Sequence, residues 1–500
     1  MKNVRLLNVN LFFRSPHRIV VFACLLVIFL AGCNSGGEKQ KKPNIIFIMA
    51  DDLGYGHLGC YGQQLIQTPN IDKLAAEGMR FTQAYSGCSL CAPARSTLMT
   101  GTHSGHTSVR GNGGGVSLQK EDITVAQILK KAGYTTALFG KWGLGENGTA
   151  GTPNKMGFDE FFGYLHQLHA QFYYPEFLWQ NEEKYIIPEN ANNNHGVYSH
   201  NLIMEKAFDF VREHKSEPFF LYLPFTLPHH EFVAPEEAMK MYSGKFEEHP
   251  LEHWRDGYAL PKEPRATMAA MISWMDKSVG ELAALLHDLN LDENTLIIFT
   301  SDNGAAHGEL PDPEFFKANG PLKGLKGSMY EGGIRVPFIA RWINHIQPGS
   351  ESSQPLYFPD VLPTFAELAN VSNEVTANVD GISFLPALLG KENKERGFMY
   401  WEDAEYERTP PFAEITSTLQ QAVRMGEWKA VKNSSASMVE LYNLSVDISE
   451  ENNVAAEHTD IVKQMEQIMK EQHVPAPPQV DMTAEEAQNR YVPKINSNEE

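Results

Sequence analysis

The chain has few cysteines, little positive charge and no apolar run long enough to cross a membrane comfortably. Five cysteines in 500 residues are too few for a disulfide framework. A formal net charge of −20 makes nucleic acid and anionic lipid surfaces poor partners. Because 42% of the residues are hydrophobic, the chain has ample material for a core. Its length predicts one large domain, alone or with a smaller companion.

Residues 1–32 have the features of a signal peptide. Basic residues precede an apolar run from Ile19 to Leu30, which is shorter than the roughly 20 residues of a membrane-spanning helix. The run ends in Leu30-Ala31-Gly32-Cys33, which resembles a bacterial lipobox. This resemblance implies cleavage before Cys33 and lipidation of its thiol, and an ordinary secretory signal is the alternative. We expect a tether over 33–43, membrane contact through the lipid anchor only, and a place in the bacterial cell envelope, in the periplasm or at the outer-membrane surface.

Continuous apolar runs alternate with helical patterns along the first 390 residues. The runs are typical of buried parallel strands and lie at 44–50, 219–225 and 295–301. The helical patterns lie at 70–78, 124–132, 198–213 and 267–289. This alternation predicts an α/β fold for the domain at 44–390, with a large, mixed, mostly parallel sheet sandwiched by helices.

The pattern changes after residue 390. Short strand-like segments at 398–401, 421–423, 428–431 and 439–444 precede an amphipathic helical pattern at 459–472. We expect a small α+β subdomain at 391–473, in which one helix packs on a short antiparallel sheet. Residues 474–500 are rich in Pro, Asn and Glu and are predicted to form a loose tail.

Acidic and amide side chains follow two of the predicted strands. Asp51 and Asp52 end the first run, and Asp302 and Asn303 end the third. Ligands of α/β folds bind at the carboxyl ends of strands, and an all-oxygen donor set favours Ca²⁺, with Mg²⁺ as the alternative. A two-zinc site would need a histidine near the second pair, and the nearest one, His307, lies five positions further on. We therefore predict a single Ca²⁺.

The segment Cys91-Ala92-Pro93-Ala94-Arg95 predicts the start of a short helix. Pro93 suits the first turn of a helix, where its missing N–H is not needed. Cys91 then lies at a helix N-terminus, where free N–H groups and the helix dipole favour an anion, and Arg95 points back to the same place. The plain alternative is a buried cysteine on a capped helix. Whether Cys60 and Cys88 form a disulfide is left open.

The Cys91 segment resembles the signature of the formylglycine-dependent sulfatases, an arylsulfatase-like family within the alkaline-phosphatase-like superfamily. Further motifs follow in family order, and the match covers about 44–472. These are Asp51-Asp52-Leu53-Gly54-Tyr55-Gly56, Gly140-Lys141-Trp142, Pro228-His229, Ser301-Asp302-Asn303-Gly304, the segment Lys326-Gly327 to Arg335-Val336-Pro337, Gln421-Ala422-Val423-Arg424 and Glu440-Leu441-Tyr442.

The resemblance implies hydrolysis of a sulfate ester. Cys91 would be oxidised to formylglycine by a separate maturation enzyme; one hydroxyl of the hydrated aldehyde attacks sulfur, and the second expels sulfate afterwards. The resemblance also implies the remaining roles. The Ca²⁺ ligands would be Asp51, Asp52, Asp302, Asn303 and modified Cys91, Arg95 would stabilise the diol, and Lys141 and Lys326 would hold the sulfate. His229, alone or with Lys326, would protonate the leaving oxygen, and His230 is the alternative to His229.

One residue departs from the family pattern. Many members have a histidine that contacts the formylglycine at the position of Gly143, and a glycine has no side chain to replace that contact. We expect His106 or His103, just past the nucleophile helix, to compensate. Arg110 and Asn112 are candidates for the substrate pocket, and segments 166–174 and 179–194 are predicted pocket loops.

The resemblance implies a sulfated glycan as substrate, with a preference by analogy for galactose or N-acetylgalactosamine sulfates. Two alternatives remain. A phosphoester or phosphonate hydrolase of the same superfamily commonly has Ser or Thr as its nucleophile and binds two metals, unlike the Cys91 pattern. An inactive, lipid-anchored glycan-binding protein is supported only by Gly143.

Overall fold

The structure is a computed structural model that describes residues 42–112, 116–252, 258–376, 378–404, 419–477 and 491. The predictions for the signal peptide, for Cys33, for nearly all of the tether and for most of the tail lie outside these residues. Tyr491, the described residue of the far tail, is buried and stacks on His166 and His169.

The strands of the described residues are, in chain order, β1 (Asn44–Ala50), β2 (Met79–Phe81), β3 (Ala84–Tyr85), β4 (Thr135–Lys141), β5 (Glu160–Tyr164), β6 (Phe177–Gln180), β7 (Glu183–Ile186), β8 (Phe219–Pro224), β9 (Thr295–Ser301), β10 (Phe338–Arg341), β11 (Ser350–Ser352), β12 (Leu356–Tyr357), β13 (Met399–Asp403), β14 (Gln420–Met425), β15 (Trp428–Lys432) and β16 (Glu440–Asn443).

The α-helices of the same residues are α1 (Pro69–Glu77), α2 (Cys91–Thr100), α3 (Val125–Lys131), α4 (Ser199–Glu213), α5 (Glu236–Met239), α6 (Pro264–Asp288), α7 (Glu331–Ile334), α8 (Val361–Leu368), α9 (Leu385–Leu388) and α10 (Thr459–Gln472). Short 3₁₀ turns lie at Gly59–Tyr61, His169–Gln171, Pro188–Asn193, Asp292–Asn294, Phe358–Asp360 and Ser372–Glu374.

The main sheet has ten strands in the order β11-β2-β10-β9-β1-β8-β4-β5-β6-β7. Its centre, β9-β1-β8-β4-β5, is parallel, and antiparallel pairs flank it at β9-β10 and β5-β6. The apolar runs at 44–50 and 295–301 are strands as predicted, and the run at 219–225 is strand β8 with its end one residue earlier. The predicted pocket loop at 179–194 is wrong in part, because its first half forms the β6-β7 hairpin.

Helices cover both faces of this sheet. Ile46 and Ile48 of β1 pack with α1, α4 and α6, whereas Ile45, Phe47 and Met49 pack on the other face with α3 and α8. This alternation is the period of two that a strand imposes on its side chains. The predicted fold, a mostly parallel sheet between helices, is confirmed.

The small antiparallel sheet has the order β13-β14-β15-β16. One face packs Trp401 and Val431 against Tyr85 and Tyr357. The other face holds Met465 and Met469 of α10, the amphipathic helix predicted at 459–472. The sheet with its packed helix is therefore present as predicted.

The topology decides where a ligand can bind. Because β9, β1, β8 and β4 are parallel and adjacent, the segments that follow them meet at one edge of the sheet. In the described part of the chain, no helix has the length and the apolar character needed to span a bilayer.

Candidate active site

Two acidic pairs lie side by side at this edge. Ala50 of β1 pairs with Ser301 of β9, so the residues that follow each strand come together. The backbone N–H of Asp52 donates to Asp302 Oδ1 at 3.1 Å, and Asn303 Nδ2 donates to Asp52 Oδ1 at 2.8 Å. Asp51, Asp52, Asp302 and Asn303 are all buried. This density of buried oxygen is typical of a cation site.

The amide of Asn303 makes a specific case for a cation. Its Nδ2 has partners, but its Oδ1 is buried without a hydrogen-bond donor among the described residues. Leaving such an oxygen unsatisfied costs about 1–3 kcal/mol. Three neighbouring carboxylates supply only oxygen, which suits Ca²⁺ or Mg²⁺ and not zinc. The donor set therefore fits a hard divalent cation.

Cys91 is the first residue of α2, as its sequence context predicts, and every residue of this helix is buried. The N–H of Ala92 donates to Asn112 Oδ1 at 2.8 Å, which satisfies one of the helix's free donors. Cys91 Sγ lies 3.2 Å from Lys326 Nζ and 3.4 Å from Asp51 Oδ1. Burial, with Asp302 nearby, raises the pKa of the Cys91 thiol. An unmodified Cys91 is thus protonated and a poor nucleophile.

Three cations surround the carboxylates. Lys141 Nζ is 2.6 Å from Asp51 Oδ2, Lys326 Nζ is 2.7 Å from Asp52 Oδ1, and Arg95 Nη2 is 2.7 Å from Asp302 Oδ2. Burial alone would lower the pKa values of Arg95 and Lys326, but the carboxylates outweigh it and raise both. Arg95 and Lys326 therefore stay charged, and together with Lys141 they are the local positive charge that an acidic protein needs to bind an anion.

His229 follows β8 and reaches the same cluster. Its Nδ1 is 2.6 Å from the carbonyl oxygen of His230, which can only accept, so Nδ1 carries the proton. Its Nε2 lies 3.5 Å from Asp52 Oδ2. Burial, with Lys326 and Lys141, lowers the pKa of His229 well below 6.5. The ring is neutral here, and Nε2 is free to accept a proton.

Comparison with known proteins identifies the family. The sulfatase family model matches residues 43–371, and the C-terminal model of N-sulphoglucosamine sulphohydrolase matches 325–474. The chain belongs to the sulfatase family. It is a sulfuric ester hydrolase with the fold of the alkaline-phosphatase-like superfamily. A phosphonate monoester hydrolase of Agrobacterium radiobacter has the same fold, with 20% sequence identity and a TM-score of 0.62.

Three relatives show how far the similarity extends. An N-acetylgalactosamine-6-O-sulfatase of Bacteroides thetaiotaomicron is 29% identical, over 89% of this chain and 96% of its own length. The human N-acetylgalactosamine-6-sulfatase is 32% identical, over 74% of this chain and 70% of its own. The crystal structure of Ps i-CgsB with k-i-k-neocarrahexaose is 30% identical, covers 89% of this chain and 96% of that one, and superposes with a TM-score of 0.72.

His103 and His106 do not reach the active site of this sulfatase, which corrects our expectation that one of them compensates for Gly143. They lie beyond the far end of α2, about 15 Å of helix away from Cys91. Their rings stack on each other, His106 Nδ1 contacts Asp380 at 3.0 Å, and His103 Nε2 contacts Gln472 Oε1 at 3.0 Å. Through these contacts the two histidines join the segment after α2 to Asp380 and to Gln472, the last residue of α10.

Arg110 is also engaged elsewhere, which corrects its place in the substrate pocket. Its Nη1 is 2.7 Å from Glu402 Oε1 and donates to the carbonyl oxygen of Val474 at 2.9 Å. The pair is almost fully buried and connects β13 to the segment behind α2. His307, the residue that a two-zinc site would need, is exposed.

The described cysteines form no disulfide, and two contacts near the active site were not predicted. Cys60, Cys88 and Cys91 are free thiols, so Cys60 and Cys88 are not paired. Asn112, a candidate for the substrate pocket, accepts the N–H of Ala92 at the start of α2, a contact that was not predicted. The contact of Gln167 with Gly143 was not predicted either. No local sequence signal marks either contact, since both join segments that are distant in the chain.

Proposed function

We propose that this sulfatase releases sulfate from a sulfated carbohydrate, with a formylglycine made from Cys91 as its nucleophile. The observation that carries the proposal is the setting of Cys91 at the start of α2, between Lys326 Nζ and Asp51 Oδ1. A buried, protonated thiol has little use there. A hydrated aldehyde at this position would supply one hydroxyl for attack on sulfur and a second for the release of sulfate.

Asp51, Asp52, Asp302 and Asn303, with an oxygen of modified residue 91, are the proposed ligands of Ca²⁺, with Mg²⁺ as the alternative. The unsatisfied Oδ1 of Asn303 supports this assignment. A bound Ca²⁺ would supply positive charge beside the sulfate. The three carboxylates already balance Arg95, Lys141 and Lys326, so the charge of a dication would be left to balance the incoming anion.

Lys141 and Lys326 are proposed to bind the sulfate oxygens. The side chain of Lys141 is buried and that of Lys326 is partly buried, and carboxylates fix both ammonium groups, so little reorganisation is needed when an anion arrives. Arg95 donates to Asp302 and to the carbonyl oxygen of Lys141. It therefore positions both groups and stabilises negative charge at residue 91.

His229 is the proposed general acid, and its proton must arrive with the substrate. Without an anion the pKa of His229 is low because of burial and because Lys326 and Lys141 are close. A bound sulfate ester offsets the charge of those lysines and raises the pKa of His229, so that Nε2 takes up a proton. It can then protonate the leaving oxygen. Lys326 is the second candidate for this step.

The substrate class rests on the relatives. Two of them, at 29% and 32% identity, are named as sulfatases of N-acetylgalactosamine 6-sulfate. We therefore propose a sulfated galactose or N-acetylgalactosamine within a glycan. This substrate class and the lipobox-like Cys33 fit a lipid-anchored enzyme that acts in the bacterial cell envelope. The anchor is tested by comparing the mass of the N-terminal peptide from cells with the wild-type protein and from cells with Cys33→Ser.

The test is sulfate release from a panel that includes N-acetylgalactosamine 6-sulfate, N-acetylgalactosamine 4-sulfate and galactose 6-sulfate. The protein is co-expressed with a formylglycine-generating enzyme, and the peptide mass at position 91 reports conversion. Cys91→Ala is the inactive variant, and Cys60→Ala, a thiol outside the cluster, is its matched control. We expect wild type and Cys60→Ala to release sulfate. EGTA should abolish this release, and added Ca²⁺ should restore it.

Two outcomes would reject the proposal. Faster release of phosphate than sulfate from matched esters would favour a phosphoester hydrolase. Binding of sulfated sugars by a fully converted protein that releases no sulfate would favour an inactive glycan-binding protein.

A further inference from the structure

Gly143 lies at a close approach between two segments at the active-site edge. It follows Lys141 by two residues, and its N–H donates to the carbonyl oxygen of Leu165 at 3.0 Å. The segments after β4 and β5 therefore run side by side. The φ angle of Gly143 is +73°, a conformation that a residue with a side chain rarely adopts.

The space in front of Gly143 is filled by the side chain of Gln167. A Cβ atom at position 143 would lie 2.0 Å from Gln167 Nε2 and 2.8 Å from its Cδ. Gln167 is only 8% exposed. A glycine at 143 is thus the condition that lets this carboxamide lie against the segment that carries Lys141.

The Gln167 carboxamide has unused hydrogen-bonding capacity. Nε2 makes one long contact, 3.5 Å to the carbonyl oxygen of Gly143. Oε1 accepts no hydrogen bond from the residues that the structure describes. Oε1 is not one of the fully buried, unpaired polar atoms of the described residues, so it is open to solvent and accessible to a ligand.

The two neighbouring histidines of this turn pack their rings against aromatic side chains. His166 Nδ1 accepts the N–H of Leu168 at 3.0 Å, and the ring stacks on Tyr491. His169 packs among Tyr164, Phe177 and Tyr491. His169 Nδ1 also lacks a hydrogen-bond partner among the described residues, but it is a fully buried atom. Gln167 Oε1 is not, so it is the more accessible of the two.

We propose that Gln167 is a substrate-binding residue, whose Oε1 accepts a hydrogen bond from a hydroxyl of the sugar that carries the sulfate ester. The inference rests on the proposed function and deepens it, because it assigns recognition of the sugar to a residue that lies against Gly143, two positions after the sulfate-binding Lys141. Inorganic sulfate and aryl sulfates offer no such hydroxyl. Gln167 therefore favours hydroxyl-bearing sugars over simple sulfate esters.

The test measures binding in the Cys91→Ala background with Ca²⁺ present, so it does not depend on turnover. The probes are N-acetylgalactosamine 6-sulfate and inorganic sulfate, titrated calorimetrically. Gln167→Met keeps the length of the side chain and removes both polar atoms. We expect about a tenfold loss of affinity for the sugar sulfate, the value of one hydrogen bond of roughly 1.4 kcal/mol, and a change within about twofold for inorganic sulfate.

Gly143→Ala provides an independent variant, because its Cβ would displace the carboxamide. Gly148→Ala is the matched control: Gly148 lies in the same loop and also has a positive φ, of +96°, but a Cβ atom added there would meet nothing within 4 Å. We expect Gly143→Ala to reproduce the loss of Gln167→Met, and Gly148→Ala to retain the affinity of the parent.

Three results would overturn the inference: equal losses for both probes in Gln167→Met, no loss for the sugar sulfate, or a parent that binds inorganic sulfate as tightly as the sugar sulfate. Failure of the proposed function has a different signature. In that case the converted wild-type protein releases no sulfate, whatever the binding data show.

Discussion

Lys326 Nζ lies 3.2 Å from Cys91 Sγ and 2.8 Å from Asp52 Oδ2. One ammonium group thus contacts both the residue at the start of α2 and the acidic pair at the end of β1. The loop after β9 that carries Lys326 is fixed at this place, since the N–H of Gly327 donates to the carbonyl oxygen of Ser89 at 3.0 Å. Removal of the lysine charge should therefore affect sulfate binding and catalysis together.

Lys326→Met should lower kcat/KM for sulfate release about 100- to 1,000-fold, the usual effect of losing one preorganised donor to the reacting group. Lys323→Met is the matched control. Lys323 is in the same loop, but its Nζ contacts Tyr442 Oη and the carbonyl oxygen of Glu450. A kcat/KM of Lys326→Met within a few-fold of wild type would remove Lys326 from the proposed mechanism.

Asn303→Leu should weaken the response of the protein to Ca²⁺. A ligand at a hundred times its Kd stabilises the folded state by about 2.7 kcal/mol, so Ca²⁺ should raise the Tm of wild type after EGTA treatment. The leucine lacks the oxygen that Asn303 Oδ1 offers, and we expect a smaller rise. Asn303→Asp, which keeps an oxygen donor, is the control. An equal rise in Asn303→Leu and wild type would contradict the ligand role.

His229→Ala should slow the enzyme in a way that depends on the leaving group. A sugar alkoxide must be protonated as it leaves, so kcat/KM for the sugar sulfate should fall about 100- to 10,000-fold. The 4-nitrophenolate ion leaves without a proton, so kcat/KM for 4-nitrophenyl sulfate should fall much less. Because burial and the two lysines hold the pKa of His229 below 6.5 in the free protein, wild-type kcat/KM for the sugar sulfate should rise as the pH falls through neutrality. An equal loss for both esters would assign the acid role to another group.

The sequence predicted the fold well because its signals are local. The apolar run at 44–50 coincides with β1, and the amphipathic pattern at 459–472 coincides with α10. A buried parallel strand and a helix packed on one face each leave a period in the chain. The register of β1 against β9, which brings Asp52 to Asn303, follows from two such strands being neighbours in a parallel sheet.

The errors arose where proximity in sequence differs from proximity in space. His106 is 15 positions from Cys91, but a rigid helix separates them, so it contacts Asp380 and not the cluster. Gln167 is 24 positions from Gly143 and lies against it, because β4 and β5 pair. No sequence pattern near Gly143 or Gln167 indicates that these two strands pair. Arg110 contacts Glu402 because the C-terminal sheet packs beside it, and this contact joins segments that are distant in the chain.

A buried carboxylate joins helix α7 to the small antiparallel sheet. Glu331, at the start of α7, lies 2.9 Å from Lys429 Nζ of β15 and 3.0 Å from Arg335 Nη1. Burial alone would raise the pKa of Glu331, but Lys429, Arg335 and Arg424 outweigh it and lower the pKa to about 2. Since the folded value lies below the ordinary 4.5, the ionised carboxylate stabilises the fold above pH 4.5, and this contribution is lost as the pH falls toward 2.

Glu331→Gln should therefore destabilise the protein most at neutral pH and least in acid. Removing one partner of a buried ion pair costs about 3–5 kcal/mol, and thermal unfolding at a series of pH values from 7 to 3 measures how that cost shrinks. The exposed Glu457 provides the control variant Glu457→Gln, which should follow wild type throughout. If the Tm of Glu331→Gln fell in parallel with that of wild type as the pH was lowered, the carboxylate charge would not be what holds the small sheet against α7.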